Sequence, residues 1–163
     1  MGQIVHALIE HSLTPQEILE FPKKLETCPN NEIAGKWDWS NPNFDVETLL
    51  KLWNTMQADF LAADSWGDED FPWLQKENFT LDFFAPNLIA FDRLSNWFFF
   101  RGNEERISEF SKLTRVIAGL VNASDLLFVP EISDDVINIH DILTVDLFRQ
   151  DAKTKYEASL EVR

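Results

Sequence analysis

The chain is short of several things that enzyme chemistry draws on. It has one cysteine, Cys28, in 163 residues. No intramolecular disulfide can form, which suits a reducing compartment. It has five glycines and no G-x-x-x-x-G-K, G-x-G-x-x-G or G-x-S-x-G, so neither a phosphate cradle nor a nucleophile elbow is signalled. The three histidines, His6, His11 and His140, belong to no H-E-x-x-H and there is no C-x-x-C. The spacing of His6 and His11 puts them on no common face of a helix or strand. No run of 18 apolar residues occurs and the N-terminus has no basic leader, so neither a membrane span nor a secretory signal is predicted and a cytoplasmic location is expected.

Positive charge is also scarce. Fourteen Lys and Arg stand against 28 Asp and Glu, a formal charge of −14, where a small soluble domain usually carries a magnitude of about 2–8. Excess charge of one sign strains the compact state by self-repulsion. It also repels phosphates, so nucleic acid and anionic membrane surfaces are disfavoured as partners. A basic protein partner or a cation remains open, beside the plain reading that the charge serves solubility alone. The acids Asp64, Asp68, Glu69 and Asp70 lack the spacing of a calcium loop; neither a metal site nor a cofactor is expected. A catalytic role for Cys28, between Thr27 and Pro29, would need a base held beside it. No catalytic residue is assigned.

Hydrophobic material is ample: 45% of residues are apolar and 13% aromatic. One globular domain over residues 1–163 is therefore expected, with its own core. Gln3 to Ile9 reads as a strand. Thr14-Pro15-Gln16-Glu17 carries a capping box and a proline at the helix start, and Pro22 interrupts that helix. Residues 27–44 read mostly as loop, with Lys36 to Ser40 as a short strand holding both tryptophans on one face. A helix is predicted over about 46–63, capped by Asp45, with Val46, Leu49, Leu50, Trp53, Met56 and Phe60 in one buried stripe. Residues 64–78 read as loop. Phe79 to Phe84 reads as a strand with Phe79, Leu81 and Phe83 on one side. Residues 86–101 fit either two hairpin strands or a short helix, with aromatics favouring strand. A second helix is predicted over about 104–121, with Asn103 as cap and Ile107, Phe110, Leu113, Ile117, Leu120 and Val121 inward. Leu126 to Val129 reads as a strand, and the rest of the chain is ambiguous. The fold class is α+β, a mainly antiparallel sheet packed by at least two amphipathic helices.

The surplus acid is uneven. Asp64 to Asp82 holds six acids against Lys76, net −5, and Asp125 to Asp151 holds seven against Arg149, net −6. Within the first stretch, Trp66, Phe71 and Trp73 lie among the acids. Buried aromatics anchor interfaces, and acids speed encounter with a basic partner. The partner-binding candidates are Trp66, Asp68, Glu69, Asp70 and Trp73, then Asp134 and Asp135. The plainer alternative is that the rings plug the core while the acids stay solvated.

The run Phe84-Ala85-Pro86, Phe91 through Trp97, the helix Arg106 to Val121, and Ala123-Ser124-Asp125-Leu126-Leu127-Phe128-Val129-Pro130-Glu131 resembles bacterial polymorphic-toxin immunity proteins, over about residues 84–131. The resemblance implies a cytosolic antidote that binds a co-encoded toxin and blocks its active site. It carries no residue roles. Two rival readings stand beside it. A small carboxylate-based hydrolase predicts converging Asp or Glu in a pocket, and an acidic adaptor predicts acids spread evenly over the surface.

Overall fold

The computed structural model describes residues 4–59, 72–96 and 104–129. In chain order these form β1 (Ile4–Glu10), α1 (Pro15–Leu19), α2 (Phe21–Glu26), β2 (Asp38–Trp39), α3 (Val46–Asp59), β3 (Trp73–Lys76), β4 (Phe79–Ala85), β5 (Leu88–Asn96), α4 (Glu104–Leu120) and β6 (Asp125–Val129). The strands make one sheet in the order β2-β3-β4-β5-β1-β6, and each neighbouring pair is antiparallel. This is the α+β class expected from the sequence.

Local chemistry sets the helix boundaries. The Thr14 hydroxyl accepts from the Glu17 N–H at 3.2 Å while the Glu17 carboxylate accepts from the Thr14 N–H at 2.7 Å. Two orphan donors at the start of α1 are thereby satisfied reciprocally. Those bonds also hold the Glu17 carboxyl below its ordinary range. Glu20 breaks the path between α1 and α2, and Pro22 sits in the first turn of α2. Asp45 Oδ1 accepts from the Thr48 N–H at 2.7 Å and caps α3. At its far end α4 closes on Asn122, whose φ is 50°. The Ala123 N–H reaches the Ala118 carbonyl at 2.9 Å and the Asn122 N–H reaches Gly119 at 3.4 Å. This is the paired termination that a left-handed residue permits.

One face of the sheet carries Ala7 and Ile9, Leu74, Phe79, Leu81 and Phe83, and Ile89 and Phe91. The four described helices share a single core cluster with that face through Ile18, Phe21, Leu25, Leu49, Trp53, Phe110, Leu113 and Ile117. Aromatic rings form its centre. Phe91 stacks on Phe79 at 5.7 Å and on Phe110 at 5.3 Å. Trp37 and Trp39 join the same cluster, as the alternation of residues 36–40 predicted. Arg93 spans from β5 to α4, pairing with Glu109 at 3.4 Å and covering the Phe79 ring.

Three expectations are corrected. Residues 73–76 are a strand, not loop, because Leu74 alternates with exposed Gln75 and fills the core. Residues 88–96 are one continuous strand rather than two short strands or a helix, since β5 pairs on both sides with β4 and β1. Leu50 is 46% exposed. Of the rest of the predicted stripe, Leu49 and Trp53 are buried and Val46 is half-buried, while the Met56 and Phe60 side chains lie outside the described residues.

Candidate functional site: the second sheet face and its edge cleft

The alternation that points Phe79, Leu81 and Phe83 at the helices points Thr80 and Asp82 the other way. The register then defines a row on that second face. Trp73 lies across from Asp82, Gln75 from Thr80, Thr80 from Asp92, and Asp82 from Ala90. On the other side of β5, His6 holds the register position opposite Asp92 and Leu8 the one opposite Ala90. Leu8, Leu88, Ala90 and Leu127 are buried here, outside the helix-packed cluster.

Two carboxylates are buried in this row, Asp82 at 5% exposure and Asp92 at 3%. They are diagonal neighbours across β4 and β5, a relation that sets Cα atoms about 7–8 Å apart. The Thr80 hydroxyl lies 3.4 Å from Asp92 Oδ2, in donating position. Burial raises the pKa of Asp82 well above the usual carboxylate range, and the neighbouring charge of Asp92 raises it further. A proton held on Asp82 relieves both costs. Asp82 belongs to the acid-rich 64–82 stretch by sequence, but its burial in the sheet takes it out of the solvated charge. The available signal was the period-2 offset of Thr80 and Asp82 from the aromatic row, repeated by Asp92 beside Phe91.

At the β2 edge this face opens into a cleft of about 410 Å³ lined by Lys36, Asp38, Trp39, Ser40, Trp73, Gln75, Lys76 and Glu77. Trp73, the one partner-binding candidate among the described residues, stands on its wall. The Trp73 carbonyl accepts from the Ser40 N–H at 2.8 Å. Its indole Nε1 is buried and has no hydrogen-bond partner among the described residues. Trp37 and Trp53, by contrast, donate to the carbonyls of Ile33 and Phe83, each at 2.8 Å. Both lysines of the cleft are engaged. Lys36 pairs with Asp38 at 3.0 Å. Lys76 donates to the Glu32 and Ala34 carbonyls at 2.6 and 2.7 Å, tying the 30–34 loop to β3. Gly35 follows this loop with a φ of 122°, a backbone that favours glycine. Glu77 takes a φ of 49° in the two-residue turn between β3 and β4, a left-handed backbone such turns favour.

The remaining partner-binding candidates, Trp66, Asp68, Glu69, Asp70, Asp134 and Asp135, lie outside the described residues, as does His140. Chain connectivity joins the 60–71 segment to α3 at one end and, through Pro72, to Trp73 at the other. Of the other histidines, His11 is described in full. Two residues beyond Ile9, it accepts from the Leu13 N–H at Nδ1, 3.0 Å. Burial holds it at a pKa of about 4. The neutral ring therefore carries its proton on Nε2, a buried atom with no partner among the described residues.

Among the described residues no group of three or more His, Cys, Asp or Glu could hold a metal ion, and no helix is long and apolar enough to cross a membrane. A second hollow, about 450 Å³, lies where α4 turns into β6, lined in part by Arg115, Asn122 and Asp125. No protein-family model, curated protein or solved structure matches the chain.

Proposed function

We propose that this protein is a non-catalytic inhibitor that binds a basic protein partner, in the manner of an immunity protein blocking an effector toxin. The observation that carries the reading is one of connectivity: the acidic-aromatic 64–71 stretch is joined in sequence, through Pro72, to the β2-edge cleft. A chain of formal charge −14 runs its densest acidic-aromatic stretch directly into Trp73, which lines an open cleft at a sheet edge. Aromatic anchors prolong residence, and acids raise the association rate. The test is co-purification with, and protection of cells from, the product of the neighbouring reading frame. Neither binding nor protection would sink the reading. If steering operates, the association rate constant falls steeply between low and physiological salt. A flat salt profile removes the charge argument and leaves contact through Trp73 and its neighbours to explain binding.

A carboxylate-based hydrolase has one observation in its favour, the buried Asp82 and Asp92. Environments that push two carboxyl pKa values apart are those in which one serves as acid and the other as base. Neither described hollow has these two side chains on its wall. Under this reading Asp82→Asn and Asp92→Asn each abolish a measured hydrolysis while the fold is retained. Wild-type activity in either variant rejects it.

A further inference from the structure

We infer that the β2-edge cleft is an arginine pocket, a recess that takes one guanidinium group from the basic partner; this rests on the inhibitor reading above and names its point of recognition. Guanidinium is planar and stacks on aromatic rings, and it forms paired hydrogen bonds with carboxylates. The cleft offers those partners together. Trp73 is half-buried on its wall, and Asp38, Glu77 and the Gln75 amide supply acceptors; Trp39 also lines the cleft, but its ring packs on Phe44 and Phe83 on the helix side.

The cations already present do not close it. Lys76 is committed to two backbone carbonyls and is drawn towards the 30–34 loop. Lys36 meets Asp38 through side chains 83% and 67% exposed. An exposed pair of that kind contributes little and is readily exchanged. An incoming guanidinium that stacks on a ring and bonds two carboxylates gains more than the ammonium it displaces. A lysine from the partner would gain only the point charge, so the pocket discriminates between the two cations. Its volume, about 410 Å³, is at the lower end of the roughly 300–1,000 Å³ common for ligand sites, enough for one long side chain and its water.

The experiment is a titration of the full chain, labelled with nitrogen-15, using Nα-acetyl-arginine amide. Nα-acetyl-lysine amide and the uncharged isostere Nα-acetyl-citrulline amide are run in parallel. The expected result is a saturable shift of the Trp73 indole signal with the arginine probe, larger than any at Trp39, weaker with lysine and absent with citrulline. Affinity falls at least about tenfold in Asp38→Asn/Glu77→Gln and rises in Lys36→Ala, which removes the competing ammonium. Both changes alter exposed side chains, and undisturbed dispersion of the remaining signals confirms folding. Arginine and citrulline shifting the Trp73 indole equally, or a double variant that binds as the wild type does, overturns the pocket. These outcomes are separable from failure of the inhibitor reading. A partner captured equally by wild type and double variant keeps the inhibitor and removes the pocket as its anchor. Arginine binding without any captured partner keeps the pocket and removes the inhibitor.

Discussion

Phe91 and Asp92 are neighbours in β5, and they face opposite ways into interiors of different chemistry. On the helix-packed side Phe91 lies between the rings of Phe79 and Phe110 at 5.7 and 5.3 Å, in the hydrophobic core cluster. On the other side Asp92 shares its row with Thr80, Asp82 and the wall of the edge cleft. The first interior is stabilised by area and close packing, which respond little to pH. The second holds ionisable groups whose desolvation is eased by holding a proton. The difference teaches where each face can be altered: geometry governs one, and protonation the other.

The largest expected effect breaks the aromatic stack. Phe91→Ala should cost about 3–5 kcal/mol in denaturant unfolding. A cost within the range of surface changes would show that the helix-packed face is not where the fold's stability resides.

The next effect concerns His11, buried just past the end of β1 and outside the hydrophobic cluster. Its folded pKa of about 4 lies below the ordinary 6.5. Above pH 6.5 both states are neutral there and no penalty exists. As pH falls from 6.5 to 4, the unfolded chain takes a proton that the folded chain refuses, and stability is lost. At about 1.4 kcal/mol per unit the loss over that window is about 3 kcal/mol. His11→Gln should lose less over the same interval when unfolding is compared at pH 7 and pH 4.5. Identical acid limbs in the two proteins would place the acid sensitivity elsewhere.

On the second face the sign reverses. Asp82 has a raised folded pKa, so its contribution is fully present below the ordinary carboxyl range and is lost as pH rises through the raised value. Asp82→Asn keeps the shape and removes the charge. The variant should equal or exceed the wild type in stability at pH 8, and its advantage should narrow towards pH 5. A variant that is less stable at every pH would show that the ionised carboxylate, not the protonated one, is what this face requires. The smallest effect belongs to Leu50, 46% exposed on α3. Leu50→Ser should change unfolding free energy by no more than about 0.5 kcal/mol.

Much of the fold was legible because its signals are local. The capping box at Thr14 and Glu17, Asp45 before α3, and the inward stripe of α4 each need only a few neighbouring residues to specify them. Trp73 was read as loop because Leu74 is followed by four polar residues, Gln75, Lys76, Glu77 and Asn78, and β3 is only four residues long. Its strand character comes from pairing with β4, a partner that composition does not reveal. Asp82 and Asp92 were missed for a related reason. A polar residue alternating with phenylalanine is the pattern of a sheet with one wet face, and only a sheet covered on both sides makes it a buried acid. The cleft was invisible for a third reason: it joins residues 36–40 to residues 73–77, and no sequence period links them.

Strand β2 is two residues long and stands at the rim of the sheet. Long, flat, unpaired rims invite neighbouring molecules to add strands and grow fibres, and short charged ones resist it. With Lys36 and Asp38 paired across this rim, the protein is already guarded there against edge-to-edge growth by shape. Its acidity is thus not needed to keep this border from templating aggregates. That weakens the thriftiest explanation of the surplus charge, and it makes a variant with neutralised acids but an intact rim the sharper probe of whether solubility alone accounts for it.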